Sequence, residues 1–129
     1  QAGGAGKVAI MSPGARVFDP GSPQLMSWLL ERPADLDTQL QQISCLVAGC
    51  GLGTDQLAVT LLTRALAAPL SAVIDADALN MVAAESASGL RSLLLARSRS
   101  TRTIITPHPL EAARLLKQSV ARRIYALFF

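Results

Sequence analysis

The sequence contains few cysteine, histidine and aromatic residues, and each shortage excludes a kind of protein. Two cysteines and one histidine cannot supply the four ligands of a structural zinc site. Cys45 and Cys50 are expected to be free thiols of a cytoplasmic protein, because no signal peptide is visible. No uncharged apolar run reaches the roughly 20 residues that span a bilayer, so no membrane partner is expected.

Aromatic residues make up only 4% of the chain, although 50% of its residues are hydrophobic and 16% are charged. Leucine, alanine, valine and isoleucine must therefore fill the core, and this composition excludes a disordered chain. The 129 residues contain no internal repeat and no low-complexity linker. We therefore expect a single domain.

The net charge of +3 hides an uneven distribution of basic residues. Residues 90–129 carry eight basic side chains, and Glu111 is the only acidic residue in that stretch. Such a stretch can attract nucleic acid or phosphate, but it can also be a solvated helix face followed by an exposed Arg/Ser loop at 97–102. Residues 91–102 include no aromatic side chain that could stack on bases, so no nucleic-acid partner is expected.

Short apolar runs rich in β-branched residues predict strands, and runs with helical spacing predict helices between them. The predicted strands are residues 7–11, 45–48, 72–74 and 103–105. The predicted helices are residues 23–31, 55–68, 78–85, 89–97 and 111–117. The first helix is expected to begin with Ser22 as N-cap and Pro23 at its first position. This alternation is typical of an α/β fold in which helices cover a mostly parallel sheet.

The first polar segment at a strand end is GCGLGTD, residues 49–55. Because glycine has no Cβ, Gly49, Gly51 and Gly53 let the backbone turn sharply and approach a ligand closely. Thr54 is the expected N-cap of the next helix, whose free first-turn amides would suit a phosphate. The spacing matches neither a GxGxxG fingerprint nor a Walker loop, so a tight structural turn is the alternative interpretation.

The segment DADALN, residues 75–80, follows the third predicted strand. Asp75 and Asp77 could hold Mg²⁺ through water or orient a hydroxyl group. In the alternative interpretation, Asp77 caps the next helix and Asp75 accepts hydrogen bonds from loop amides. Asn80 would lie in the first turn of that helix, near the same rim.

The segment TPHPLE, residues 106–111, follows the fourth predicted strand. Prolines on both sides of His108 restrict the backbone and end the strand. The only histidine therefore lies on a stiff turn, where it could donate a hydrogen bond or shuttle a proton, or simply be an exposed loop residue. Glu111 is expected to cap the helix that begins there. Together, the three segments predict one polar rim at the carboxyl edge of the sheet.

In this order, the three segments resemble those of the NAD(P)H-hydrate dehydratase family, a carbohydrate-kinase-like group. GCGLG is similar to the family's GPGLG, DADALN is identical to its counterpart, and TPHPLEAARLL is similar to TPHPGEAARLL. The stretches GAGKV and PQLM add weaker similarity, and the whole resemblance covers about residues 4–117. It implies a three-layer αβα ribokinase-like fold with a mostly parallel sheet, present here as a fragment.

The resemblance also implies a chemistry. Family members repair the S-form of hydrated NADH or NADPH: they phosphorylate its added hydroxyl with ADP or ATP and Mg²⁺, and phosphate elimination restores the dihydronicotinamide. The resemblance assigns substrate binding to Gly49, Gly51, Gly53, His108, Pro109, Glu111 and Arg114. It places three more residues on the rim, in a Mg²⁺–water or structural role and without a direct metal ligand: Asp75, Asp77 and Asn80. A homo-oligomer is compatible with it.

The sequence also departs from the family pattern. Cys50 replaces a proline, so the loop loses a fixed φ and is expected to be more mobile. Leu110 replaces a glycine, which is expected to weaken binding if that glycine serves a positive φ or close substrate approach. The 129 residues contain no Gly-Thr-Gly-Asp segment, which in the family holds the general base and the anion hole. Residues 1–129 are therefore expected to be the central part of one domain and to be inactive alone. A small-molecule kinase of the same superfamily and a non-catalytic nucleotide-binding remnant are the alternatives.

Overall fold

The computed structural model describes residues 4–84, 89–97 and 100–117. Within these ranges the fold is α/β, as predicted, and strands alternate with helices along most of the chain. The strands are β1 (Ala9–Ser12), β2 (Met26–Leu29), β3 (Cys45–Ala48), β4 (Ser71–Ile74) and β5 (Thr103–Ile105). The helices are α1 (Pro33–Leu40), α2 (Gln56–Ala67), α3 (Ala76–Ala83), α4 (Leu90–Arg97) and α5 (Pro109–Leu116).

Strands β3, β4 and β5 form a parallel three-stranded sheet with β4 in the centre. All three were predicted from their apolar, β-branched sequences. The ladder continues beyond the strands, because Asp75 N–H donates to Ala48 O at 3.0 Å and Thr106 N–H donates to Ile74 O at 3.2 Å. The carboxyl ends of the three strands therefore lie side by side, in chain order.

The helices form a continuous layer in which α1 contacts α2, α2 contacts α4, α4 contacts α3, and α3 contacts α5. Helix α2 buries the positions that recur at helical spacing, among them Leu61, Leu62 and Leu66. The opposite face of the sheet carries a row formed by Val47, Val73 and Ile104, which are aligned across the three strands. Val47 is 66% exposed and Ile104 is 61% exposed. No helix covers this row among the described residues, so only one of the two helix layers expected from the resemblance is seen there.

The prediction of a helix at residues 23–31 is wrong. Residues Met26–Leu29 form β2, which pairs in parallel with β1. Ser22 is part of a turn rather than an N-cap, since its N–H donates to Asp19 O at 3.0 Å. The local start signal of Ser22 and Pro23 is overridden by a ladder with a strand about 17 residues earlier, a pairing that local spacing cannot reveal.

Helix α1 was not predicted, although its start carries a local signal. Pro33 occupies the first turn, and Asp35 closes a capping box by accepting the Arg32 N–H at 2.8 Å. That backbone hydrogen bond from Arg32 is the main reason that the pKa of Asp35 is lowered from its ordinary value. Helix α1 begins at Pro33, two residues after the end of the wrongly predicted helix at 23–31.

Arg97 contradicts the prediction of an exposed Arg/Ser loop at 97–102. It is the last residue of α4 and is only 4% exposed. Its guanidinium donates to backbone oxygens at the end of α2, at 2.9 Å to Leu66 and 2.6 Å to Ala68, and also to Leu70. Burial lowers the pKa of Arg97 from its ordinary value. Arg91 and Arg102 are exposed, as expected, and residues 98, 99, 122 and 123 lie outside the described ranges.

A cleft of about 830 Å³ lies between the two sheets and is lined by residues of β1 and β3. No backbone hydrogen bond joins β1 to β3 within the described ranges, so the first predicted strand is paired only with β2. Leu61, Leu62 and Ala65 of α2 contribute apolar side chains to the cleft.

The two cysteines and the lengths of the helices bear on two further predictions, that the thiols are free and that no segment spans a membrane. Cys45 and Cys50 are both free, as predicted, and both are exposed. None of the described helices has the length and apolar character needed to cross a bilayer.

Candidate functional site

The loop after β3 is shaped by three glycines with positive φ: 126° at Gly49, 66° at Gly51 and 79° at Gly53. A Cβ built on Gly49 would lie 1.8 Å from the backbone oxygen of Asp75, so only glycine fits against the backbone at the start of the DADALN segment. By contrast, a Cβ on Gly51 or Gly53 would meet open space. The loop therefore has a tightly packed first residue, whereas Gly51 and Gly53 are exposed and Leu52 between them packs partly against the core.

Helix α2 begins one residue later than predicted. Its N-cap is Asp55 rather than Thr54, and Asp55 Oδ1 accepts the Ala58 N–H at 2.8 Å. An ionised carboxylate makes a stronger cap than a hydroxyl, and its negative charge also favours this end of the helix dipole. One first-turn amide of α2 is thus already bonded to a carboxylate, so the amides left for a phosphate are fewer than expected.

The two aspartates of the DADALN segment have exchanged the roles that the alternative interpretation assigned to them. Asp75 is the N-cap of α3, which begins at Ala76 rather than at residue 78, and its Oδ1 accepts the Ala76 N–H at 2.8 Å. Asp77, in the first turn, accepts the N–H of Gly53 through Oδ2 at 2.9 Å. Asp77 therefore connects α3 to the glycine loop and does not cap the helix.

Asn80 and Arg114 join the second segment to the third. Asn80 lies on α3 and Arg114 lies on α5, and Arg114 Nη1 donates to Asn80 Oδ1 at 2.7 Å. The two residues are 34 positions apart, so no local pattern could have predicted the pair. Arg114 is exposed, which leaves its remaining donors able to contact a ligand at the rim.

His108 and Glu111 form the start of α5, which begins at Pro109 rather than at Glu111. Glu111 Oε2 accepts the His108 N–H at 3.1 Å, and His108 Nδ1 accepts the Leu110 N–H at 3.1 Å. The capping role predicted for Glu111 is confirmed, but its side chain is only 5% exposed, whereas that of His108 is 56% exposed. Because Nδ1 accepts an amide hydrogen, the proton of a neutral imidazole is on Nε2, which lies 3.2 Å from Glu111 Oε1.

The structure thus brings the three predicted segments together at one edge of the three-stranded sheet. The glycine loop contacts the DADALN segment through Gly49 and Gly53, and that segment contacts α5 through Asn80. The large cleft is lined by the glycine loop but not by the residues of the other two segments. The rim is therefore continuous, and only one end of it opens into the cleft.

The described residues do not form a direct metal centre. No group of three or more histidine, cysteine, aspartate or glutamate side chains within the described ranges could hold a metal ion. Asp75 and Asp77 each use one carboxylate oxygen on a backbone amide. The second oxygen of each carboxylate could still accept a hydrogen bond from a Mg²⁺-bound water, which is the role that the resemblance implies.

Comparison with known proteins identifies the family. The family model described as NAD(P)H-hydrate dehydratase matches residues 2–125. An ADP-dependent (S)-NAD(P)H-hydrate dehydratase of Neisseria meningitidis serogroup B is 42% identical over 96 residues, which cover 69% of this chain and 29% of that protein. The bifunctional NAD(P)H-hydrate repair enzyme Nnr of Coxiella burnetii is 40% identical over 96 residues, which cover 73% of this chain and 17% of that protein.

The chain therefore spans less than a third of the length of either relative. No solved structure shows a significant match. The family model nevertheless covers nearly the whole chain, including the glycine loop, the two aspartates and the histidine turn. On this evidence, the chain belongs to the NAD(P)H-hydrate dehydratase family.

Proposed function

We propose that this chain forms the substrate-binding part of the active site of an enzyme that dehydrates the S-form of hydrated NADH or NADPH at the expense of ADP or ATP. The observation that carries the proposal is the continuous rim, in which all three segments shared with the family are joined by hydrogen bonds and close backbone contact. Such a rim, at the carboxyl ends of parallel strands, is where open α/β sheets bind their ligands.

Each part of the rim suits a part of a hydrated dinucleotide. The exposed backbone of Gly51 and Gly53 allows close approach by the ligand. Arg114 supplies a positive charge for its phosphates, and Pro109 fixes the turn that carries His108. The exposed imidazole of His108, held in one orientation by the buried Glu111, would contact the nicotinamide side. Glu111 would thus act on the ligand through His108.

We further propose that residues 1–129 correspond to the central part of a single catalytic domain and do not turn over substrate alone. The sequence has no Gly-Thr-Gly-Asp segment, so the family's base and anion hole are not among its residues. Asp75 and Asp77 each accept a backbone N–H within the rim, which gives both carboxylates a structural role there. Without a base and donors for the transferred phosphoryl group, the terms that dominate phosphoryl transfer are missing.

The test separates binding from turnover in the 129-residue chain. Isothermal titration calorimetry with the S-form of hydrated NADPH should give saturable binding, and adding ADP or ATP with Mg²⁺ should regenerate little or no NADPH. A His108→Ala variant should bind more weakly, while Arg102→Ala, at an exposed residue away from the rim, should bind as the unaltered chain does. Absence of binding by a folded chain would contradict the proposed ligand. Rapid NADPH recovery would contradict the proposed inactivity.

Two further measurements distinguish the alternatives. A small-molecule kinase would convert hydroxylated substrates and ATP into stable phosphorylated products, which the dehydratase interpretation does not predict. A bare structural remnant, unlike a nucleotide-binding one, would show no thermal shift with NADPH or with ATP.

A further inference from the structure

We infer that Asp77 is a positioning residue that holds the glycine loop in its ligand-binding shape. The inference rests on the proposed function for the identity of the ligand, but the contact itself is independent of it. Asp77 Oδ2 accepts the Gly53 N–H at 2.9 Å across a separation of 24 residues. The bond joins the loop after β3 to the first turn of the helix after β4.

The glycine loop is held at both ends by the DADALN segment. At its start, Gly49 lies against the backbone of Asp75, with no room for a Cβ. Near its end, Gly53 is bonded to the Asp77 carboxylate. Within the loop, Leu52 N–H donates to Gly49 O at 3.2 Å and closes a turn between these two points.

Besides the Asp77 bond, the half-buried side chain of Leu52 anchors this part of the loop by packing against the core. Gly51 and Gly53 have positive φ and no side chains, and a Cβ at either position would meet open space. Glycine also has more backbone freedom than any other residue, so without the Asp77 bond the positions on either side of Leu52 would sample more conformations. A bond to an ionised carboxylate is stronger than one to a neutral acceptor, which makes Asp77 an effective tether.

Loss of this tether should weaken ligand binding without removing a ligand contact. Binding would then also have to order the loop, and that entropic cost lowers affinity. A role for Asp77 in holding a Mg²⁺-bound water predicts a different pattern, because an amide is a poor substitute for a carboxylate near Mg²⁺ but still accepts an N–H. The Asp77→Asn variant therefore separates the two roles.

The experiment measures the affinity of the 129-residue chain for NADPH and for its S-form hydrate by calorimetry, with and without Mg²⁺. We expect roughly tenfold weaker binding for Asp77→Ala, the size of effect that one charge-assisted hydrogen bond supports, and partial recovery for Asp77→Asn in both buffers. Asp19→Ala is the matched control, because Asp19 Oδ1 accepts the Gly21 N–H at 2.9 Å in the connection between β1 and β2. This control should leave affinity unchanged.

The Gly53 amide provides a second measurement that does not depend on any ligand. In NMR spectra, its proton signal should move and its hydrogen exchange should accelerate in Asp77→Ala, with a smaller change in Asp77→Asn. Unchanged affinity in Asp77→Ala would overturn the inference, as would equal losses in both variants that appear only with Mg²⁺. If the unaltered chain binds neither compound, the proposed function fails, and the inference is then decided by the Gly53 signal alone: a shift supports the tether and no shift overturns it.

Discussion

At the scale of single residues, Gly49 shows how closely the first two segments of the rim depend on each other. Its φ is +126°, and a Cβ there would lie 1.8 Å from Asp75 O and 2.9 Å from the Ala78 Cβ. These neighbours are a backbone oxygen and a buried helix residue, so neither can move without displacing the start of α3. The glycine is therefore needed for packing as well as for the turn.

Gly49→Ala should accordingly destabilise the fold by more than about 3 kcal/mol, through overlap with backbone and an unfavourable φ. The measurement is the free energy of unfolding from urea titration followed by circular dichroism. Gly51→Ala is the matched control, since Gly51 also has a positive φ but faces open space. Its cost should be only the roughly 1–2 kcal/mol of a left-handed alanine. Equal costs for the two variants would show that the close approach at Gly49 is not maintained in solution.

At the scale of elements, Arg97 connects the end of α4 to the end of α2. The last carbonyls of a helix have no partner within the helix, and here the Arg97 guanidinium supplies donors to several of them. Its Nε also donates to Thr103 Oγ1 at 3.2 Å, at the first residue of β5. One buried side chain thus ties two helices and a strand together.

Arg97→Met should lower the free energy of unfolding by about 2–4 kcal/mol, because it keeps the apolar stem but leaves buried carbonyls without donors. Urea titration of the variant and the unaltered chain measures the difference. Arg102→Met is the control: Arg102 is exposed, and its replacement should change stability by less than about 0.5 kcal/mol. A similar small effect for both variants would mean that Arg97 is solvated in solution.

At the scale of the whole molecule, the parallel strands are divided between two sheets with a cleft between them. Strand β4 has a neighbour on each side, whereas β1 and β3 each pair on one side only within the described ranges. Backbone groups of β1 and β3 that have no partner along the cleft are open to water. We therefore expect β4 to be the most stable strand and the cleft-facing edges of β1 and β3 to be less protected.

Amide hydrogen exchange should reveal this division. The amides of β4 should exchange about tenfold or more slowly than the cleft-facing amides of β1 and β3, because only the latter can exchange without breaking a ladder hydrogen bond. Residue-resolved exchange by NMR provides the measurement, with the amides of α2 as an internal reference for the core. Uniform protection across β1, β3 and β4 would indicate that the cleft is closed in solution.

The sequence predicted the parts of the fold whose signals are local. Strands β3 and β5 have the predicted bounds, because their short apolar runs end at glycine and at a proline turn. The capping role of Glu111 was also predictable from its position after Pro109. The N-caps were displaced by a residue or more, since Asp55 and Asp75 compete with nearby polar residues that suit the same position. Strand β2 was missed because its partner, β1, is distant in the chain.

By itself, the sequence determined the α/β class, three strands of the sheet and the three polar segments that follow them, because apolar runs and turn residues act over a few positions. Only the tertiary structure decided how those segments are joined. The Gly53–Asp77 and Asn80–Arg114 bonds and the burial of Arg97 connect residues 24 to 34 positions apart. Packing of helices on the sheet brings these residues together. The spacing of residue types along the chain does not reveal contacts between residues so far apart in sequence.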